Sequence, residues 1–198
     1  EKWIQEIADD DSVLVFTETT SNLHHKDFFP GIDKIIAPLD MSEFKNLQPD
    51  ILLTFGGLVV SKKIKAFLRM YKPSHHWHVG LFRANNTFFC LDKHIKQSPN
   101  AFLSEFLPQV THHRKSDYKK IWLSLRQKRR KRHEAYIKSL PFSDFTVFNS
   151  VLKSLPKESQ LQVGNSSAIR YTQLFQIPKS IAVFCNRGTS GIDGSTST

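Results

Sequence analysis

Three features of this sequence predict an α/β fold built on parallel strands. Short apolar runs alternate with helical patterns through the N-terminal half; a basic amphipathic stretch interrupts them at 112–138; the alternation resumes after Pro141. The expected architecture is a Rossmann-like parallel sheet, a long linker helix and an incomplete second βα unit. The expected bounds are 1–112, 113–140 and 141–198.

Each element follows from its local pattern. Residues 12–17 (SVLVFT) read as a buried strand, followed by a polar loop over 18–26. Residues 33–37 read as a second strand, and 49–55 as a third that ends in Gly56-Gly57. Ile64, Phe67 and Leu68 recur at helical spacing within 61–70. Shorter strands are expected at 77–82 and 87–91. Ser98 can cap a helix over 98–107, with Pro99 in its first position. Residues 112–138 hold eleven Lys or Arg against two acids, Asp117 and Glu134. Tyr118, Ile121, Trp122, Leu125, His133, Tyr136 and Ile137 lie at helical spacing, which predicts a helix over 116–138 with one apolar stripe and a solvated basic face. Ser143 then caps a helix to Leu155. A strand at 161–163, a helix at 167–175 and a very apolar strand at 180–185 complete the chain's elements.

Composition narrows the class. The 198 residues are 39% hydrophobic and 23% charged, enough apolar matter for a packed core. The formal charge of +10 argues for anionic partners or substrates. Cys90 and Cys185 are too few and too far apart for a disulfide framework or a CxxC metal site, and a reducing cytoplasm is the default. The longest apolar run, 51–60, is too short to span a bilayer and holds two glycines. A first residue that is Glu1 and a tail ending in GIDGSTST predict a piece of a longer polypeptide.

The C-terminal strand ends are the most informative place. In a parallel sheet, ligands sit in the crevice beyond the strands' carboxyl ends. The strand at 161–163 delivers Gly164-Asn165-Ser166 there, and the strand at 180–185 delivers Asn186-Arg187-Gly188. Ser166 stands at a helix start, where free N–H groups favour an anion. Arg170 lies one turn further along the same face, and Arg187 ends the next strand. Two guanidiniums converging on one crevice suit a carboxylate or phosphate, because the fork of Arg matches two oxygens. Solvated or turn arginines are the structural alternative.

These residues carry a resemblance. Val163-Gly164-Asn165-Ser166-Ser167-Ala168-Ile169-Arg170, followed by Asn186-Arg187-Gly188-Thr189-Ser190-Gly191-Ile192-Asp193-Gly194, resembles the 2-succinyl-5-enolpyruvyl-6-hydroxy-3-cyclohexene-1-carboxylate synthase (MenD) family of menaquinone biosynthesis. Thr189 stands where the family mostly carries Ala. The first half resembles the family more weakly, through strand order and Lys62. The resemblance implies a cytoplasmic transferase dependent on thiamin diphosphate and Mg²⁺. Such an enzyme decarboxylates 2-oxoglutarate and adds the succinyl carbanion to isochorismate. It implies that 1–112 is the family's middle domain and 141–198 the opening of its diphosphate-binding domain. It further implies that Lys62, Ser166, Arg170 and Arg187 bind substrate, and that Gly188, Ser190, Gly191 and Ile192 pass close to the cofactor. The family's catalytic Glu would lie upstream of Glu1 and its metal motif downstream, so no catalytic or metal residue is expected here. A chain of this extent would be inactive and would hold no cofactor. The whole enzyme would be a homodimer or homotetramer.

Rival motifs are weaker. Residues 56–63 nearly spell GxxxxGK[ST], but Ser61 replaces the second Gly and Lys63 the Ser/Thr that would hold Mg²⁺. The run 126–132 (RQKRRKR) would suit nucleic acid or an acidic surface, yet no helix-turn-helix, zinc-finger or RNP pattern accompanies it. A stand-alone Rossmann-like module that docks this basic helix on an acidic partner or nucleic acid is the competing function. His76 and His78 share a strand face but have no acid or Cys at ligand spacing in the sequence, which favours structural histidines over zinc. Gly188-Thr189-Ser190-Gly191 is one residue short of a GxSxG nucleophile motif.

Overall fold

The computed structural model describes residues 2–57, 59–111 and 115–186. The elements run α1 (Lys2–Asp9), β1 (Val15–Thr17), β2 (Phe28–Pro30), α2 (Ile32–Ile36), α3 (Met41–Asn46), β3 (Ile51–Phe55), α4 (Lys62–Met70), β4 (His75–Val79), β5 (Leu91–Ile95), α5 (Pro99–Phe106), α6 (Tyr118–Ser139), α7 (Asp144–Ser154), β6 (Gln160–Val163), α8 (Ser167–Thr172) and β7 (Ala182–Cys185). The class is mixed α/β with parallel sheets, as the sequence predicts. The chain forms two compact units. The first contains the chain up to Val15 together with Ile36–Ser124; the second contains Phe16–Ile35 together with the chain from Leu125. Phe16–Ile35, which the linear reading assigns with the N-terminal region, is therefore packed in the second unit.

The first unit is built on a three-stranded parallel sheet in the order β3-β4-β5. Ile64, Phe67 and Leu68 of α4 are buried, as are Leu103 of α5 and Val79 at the end of β4. Ser61 caps α4 by accepting the Ile64 N–H at 3.0 Å, and Ser98 caps α5 by accepting the Ala101 N–H at 3.2 Å. The second unit holds a parallel pair, β6 and β7, paired from Gln160↔Ala182 to Val163↔Cys185. Its core includes Phe29, Ile35, Ile169, Ile181 and Val183. The outer edge of β7 is covered by one side-chain amide. Asn22 accepts the Val183 N–H at 2.7 Å and donates to the Val183 carbonyl at 3.0 Å, doing locally what a further strand would do.

Four sequence expectations are corrected. Residues 33–36 belong to helix α2 and Ala37 to the turn after it, not to a strand. Ile32, Ile35 and Ile36 are all buried, and their spacing is helical; the β-branched run disguised it. The strand expected at 87–91 starts at Leu91 and runs to Ile95. Phe89 takes a left-handed φ of 58°, while Phe88 is buried edge-on against His76, so the two rings serve a loop. The strand expected at 77–82 lies at His75–Val79, with Leu81 and Phe82 exposed beyond it. The strand expected at 12–17 shortens to β1, which pairs with β2 instead of joining β3-β4-β5.

Helix α6 departs from expectation in a more instructive way. Its buried line is Lys119, Trp122 and Arg129, with Arg126 and His133 half-buried between and after them, while Ile121 and Tyr136 are exposed. The basic run is thus not wholly a solvated face. Lys119 donates to the carbonyls of Ala8 and Asp9 at 3.0 and 2.9 Å and lies 3.4 Å from the Asp11 carboxylate. Arg126 donates to the carbonyls of Phe28 and Lys26 and stacks its guanidinium over Phe29. Long basic side chains can bury their stems when the head finds oxygen, and these do.

Candidate functional site

Strand β6 ends at Val163 and β7 at Cys185, side by side in parallel register. The Asn186 N–H donates to the Val163 carbonyl at 3.1 Å, so both carboxyl ends open at the same level. Gly164 follows in open space: a Cβ there would meet no atom within 4 Å. Ser166 then turns the chain into α8 with φ 66° and ψ −123°, backbone that a residue with a Cβ rarely adopts. Such strain costs about 1–3 kcal/mol and persists where the surroundings over-determine it, often at ligand sites. The Ser166 side chain makes no capping hydrogen bond and is exposed. Helix α8 has six residues, too short to add much of a dipole.

Arg170 lies one turn into α8, its N–H directed at the Ser166 carbonyl at 3.4 Å. The side chain is half-buried, and its Nε is enclosed with no hydrogen-bond partner among the described residues. A buried guanidinium nitrogen left without an acceptor is costly, and an incoming carboxylate would satisfy it. Ser166 and Arg170 are therefore brought together on one turn. Arg187, Gly188, Ser190, Gly191 and Ile192 lie outside the described residues.

Lys62 belongs to the first unit. It opens α4 after the Gly56-Gly57 turn that leaves β3, where Gly56 has φ 86°. The strand, turn and helix resemble a phosphate loop in outline. Lys62 is exposed, whereas Lys65 folds back to donate to the Val59 carbonyl at 3.0 Å.

The histidines of the first unit are structural in their contacts. Thr54 Oγ1 lies 2.9 Å from His76 Nε2 and 3.0 Å from His78 Nδ1, and His94 Nε2 lies 2.8 Å from the Gly80 carbonyl. Burial and neighbouring imidazoles hold the His76 and His78 pKa values below the usual range. An acid that the sequence spacing did not reveal stands beside them. Asp92 of β5 accepts from His75 at 2.9 Å and from the His76 N–H at 3.1 Å. Only the lateral pairing of β4 with β5 brings it there. Neither Cys90 nor Cys185 forms a disulfide among the described residues, and the Cys185 thiol lies 3.9 Å from the Gly164 carbonyl. Among the described residues no helix is long and apolar enough to cross a membrane.

No family model matches the chain. The chain is 55% identical, over 98% of its length, to 35% of the 2-succinyl-5-enolpyruvyl-6-hydroxy-3-cyclohexene-1-carboxylate synthase of Flavobacterium johnsoniae. It is 53% identical, over 97% of its length, to 35% of the synthase of the same name from Flavobacterium psychrophilum. Against that of Bacteroides thetaiotaomicron the identity is 37%, over 85% of this chain and 30% of the relative. The chain therefore spans about a third of the length of the curated relatives it matches. The resemblance expected from the strand-end motifs holds over nearly the whole chain.

Proposed function

We propose, for a chain this similar to one third of these synthases, that it is a segment of such an enzyme and contributes part of the site where isochorismate and 2-oxoglutarate react. The observation that carries the reading is the β6–α8 turn. It holds Ser166 in strained backbone and Arg170 with an enclosed Nε that has no hydrogen-bond partner among the described residues, within the motif that carries the family resemblance. Both proposed substrates carry two carboxylates. The described residues of the crevice offer a hydroxyl and a guanidinium, which fit those carboxylates and provide no carboxylate ligand for Mg²⁺. Thiamin diphosphate, as the family's cofactor, supplies the carbanion chemistry; these residues bind and orient the anionic substrates.

On this reading 1–112 is the middle domain, 113–140 the connecting helix and 141–198 the opening of the diphosphate-binding domain. Lys62, Ser166, Arg170 and Arg187 contact substrate, while Gly188, Ser190, Gly191 and Ile192 approach the cofactor. The whole enzyme is cytoplasmic and assembles as a homodimer or homotetramer. The test is carbon dioxide release from 2-oxoglutarate in the presence of isochorismate, thiamin diphosphate and Mg²⁺. The full-length protein containing this segment should turn over and the 198-residue chain should not. An inactive full-length protein, or an active isolated chain, overturns the reading.

A further inference from the structure

A second feature of the C-terminal unit is a cavity of about 370 Å³ between α2, α6, α7 and the segment after α8. Four cations line it: Lys34 of α2, Arg130 and Lys138 of α6, and Lys153 of α7. One acid, Glu134, faces them, and it is engaged by Arg130 at 3.1 Å. The remaining wall is largely apolar, with Leu152, Leu174 and Phe175 contributing to it.

Lys34 is the residue that makes this more than a basic surface. Among the described residues its ammonium group has no hydrogen bond and no ion pair. Burial, followed by the charge of Arg130, brings its pKa down to about 8, with Glu134 opposing the shift. The group is thus still mostly protonated at neutral pH, and a cation held from water without an acceptor is unfavourable. Its placement is built into the backbone. Gly31 has φ 64°, and a Cβ there would come within 2.7 Å of the Gln173 carbonyl and 2.9 Å of Lys34 Cε. Only glycine lets the Lys34 stem pass so close. His133 adds a neutral imidazole, its pKa brought down to about 4 by burial and then by Lys34, and its Nε2 is enclosed with no hydrogen-bond partner among the described residues. The contrast with Lys119 and Arg126, whose heads are answered by backbone carbonyls, is direct.

We propose that this cavity is a binding site for a small organic oxyanion, an apolar body carrying a carboxylate or phosphate that pairs with Lys34 and Lys153. The apolar wall takes the body of the ligand, and the excess of cations takes its charge. The assignment does not depend on the crevice of Ser166 and Arg170, since no residue is shared.

Titration calorimetry on the full chain tests the site with three probes: phenyl phosphate, benzoate and inorganic phosphate. The expected result is saturable binding of phenyl phosphate or benzoate at one molecule per chain. Whether both organic probes bind or one alone tells which oxyanion is preferred. Inorganic phosphate should bind more weakly, for want of the apolar contact. Lys34→Gln should weaken the organic probe by roughly tenfold or more, the loss of one charge-assisted hydrogen bond. Lys153→Gln should weaken it severalfold, and Arg132→Gln, which does not line the cavity, should leave it unchanged. If Lys34→Gln does not fold, Lys153→Gln together with an upward shift of the Lys34 pKa on ligand addition, read by NMR, decides the matter. The proposal is overturned if neither organic probe binds at millimolar concentration. Binding that survives the lysine substitutions, or inorganic phosphate binding as tightly as phenyl phosphate, overturns it equally.

Discussion

The buried line of helix α6 and the β6–α8 turn both hold half-buried or buried arginine, but they put it to opposite uses. Arg126 ends on two backbone carbonyls and the face of Phe29, so its charge is answered within the fold. Arg170 has an enclosed Nε with no such answer among the described residues. The first kind of cation holds elements together, and the second leaves a demand that a ligand can meet. Abundance is therefore a poor guide to function in a basic protein. The run 126–132 is the densest in charge, yet Arg126 and Arg129 are largely withdrawn from solvent. On the proposed reading, the sparse pair Ser166 and Arg170 is the one that meets a ligand.

The sharpest way to break that comparison is to remove packing from α6. Trp122 is fully buried, so Trp122→Ala should destabilise the fold by about 3–5 kcal/mol, read by chemical denaturation. A loss under about 1 kcal/mol would mean that α6 is not a core element. Next in size, Arg170→Ala in the full-length enzyme should lower kcat/KM roughly ten- to a hundredfold, the worth of about 1.5–3 kcal/mol in a charge-assisted bond. Arg187→Ala should behave alike. Arg170→Ala should leave the melting temperature nearly unchanged, because the enclosed Nε has no hydrogen-bond partner among the described residues. If the melting temperature falls and activity survives, Arg170 is structural and the comparison collapses.

Lys119→Met and Arg129→Gln belong to the other side. Removing the Lys119 head strands the carbonyls of Ala8 and Asp9, at a cost of about 1–3 kcal/mol, which is several degrees in melting temperature for a chain of this size. Arg129 is buried, so Arg129→Gln should also destabilise, whereas exposed Arg132→Gln should not. The sequence alone, reading 126–132 as a solvated face, expects both arginine substitutions to be silent; unequal melting temperatures would favour the structure.

What the sequence made legible follows a physical rule. Helices α4, α5 and α7 were recognisable because a serine cap and helical apolar spacing coincide in each. Strands β3, β6 and β7 were recognisable as apolar runs that end in glycine or a polar turn. Helix α2 was misread since Ile35-Ile36 is β-branched, and α1, α3 and β2 were not anticipated. The capping box of α3, Asp40 with Glu43, was present to be found. Ser166 and Arg170 could be read as neighbours because they stand four residues apart at a helix start, while Arg187 lies outside the described residues. The cavity of Lys34 could not, because it draws on α2, α6 and α7, and the linear reading had set Lys34 on a strand. Asp92 beside His75 was hidden for the same reason, since only strand pairing brings it there.

The smallest effect concerns His133, the one titratable group on the α6 line whose pKa is strongly displaced near neutrality. Burial and Lys34 bring it from 6.5 to about 4, with Glu134 opposing, and its ring packs against Phe145 and Phe175. The folded state thus prefers the neutral imidazole. Between these two values the unfolded chain binds the proton more readily than the folded one, so stability must rise with pH across that window. The contribution is complete above 6.5 and is lost as pH falls through about 4. Lys34, with a pKa of about 8, stays protonated throughout and does not alter the sign. His133→Phe keeps an aromatic ring among Phe145 and Phe175 but cannot titrate. The difference between wild-type and variant denaturation free energies, measured from neutral pH downward, cancels the carboxylates common to both. It should turn against the wild type as the pH drops below 6.5. A difference that is flat with pH would show that His133 is solvated, and with it the inner wall of the cavity.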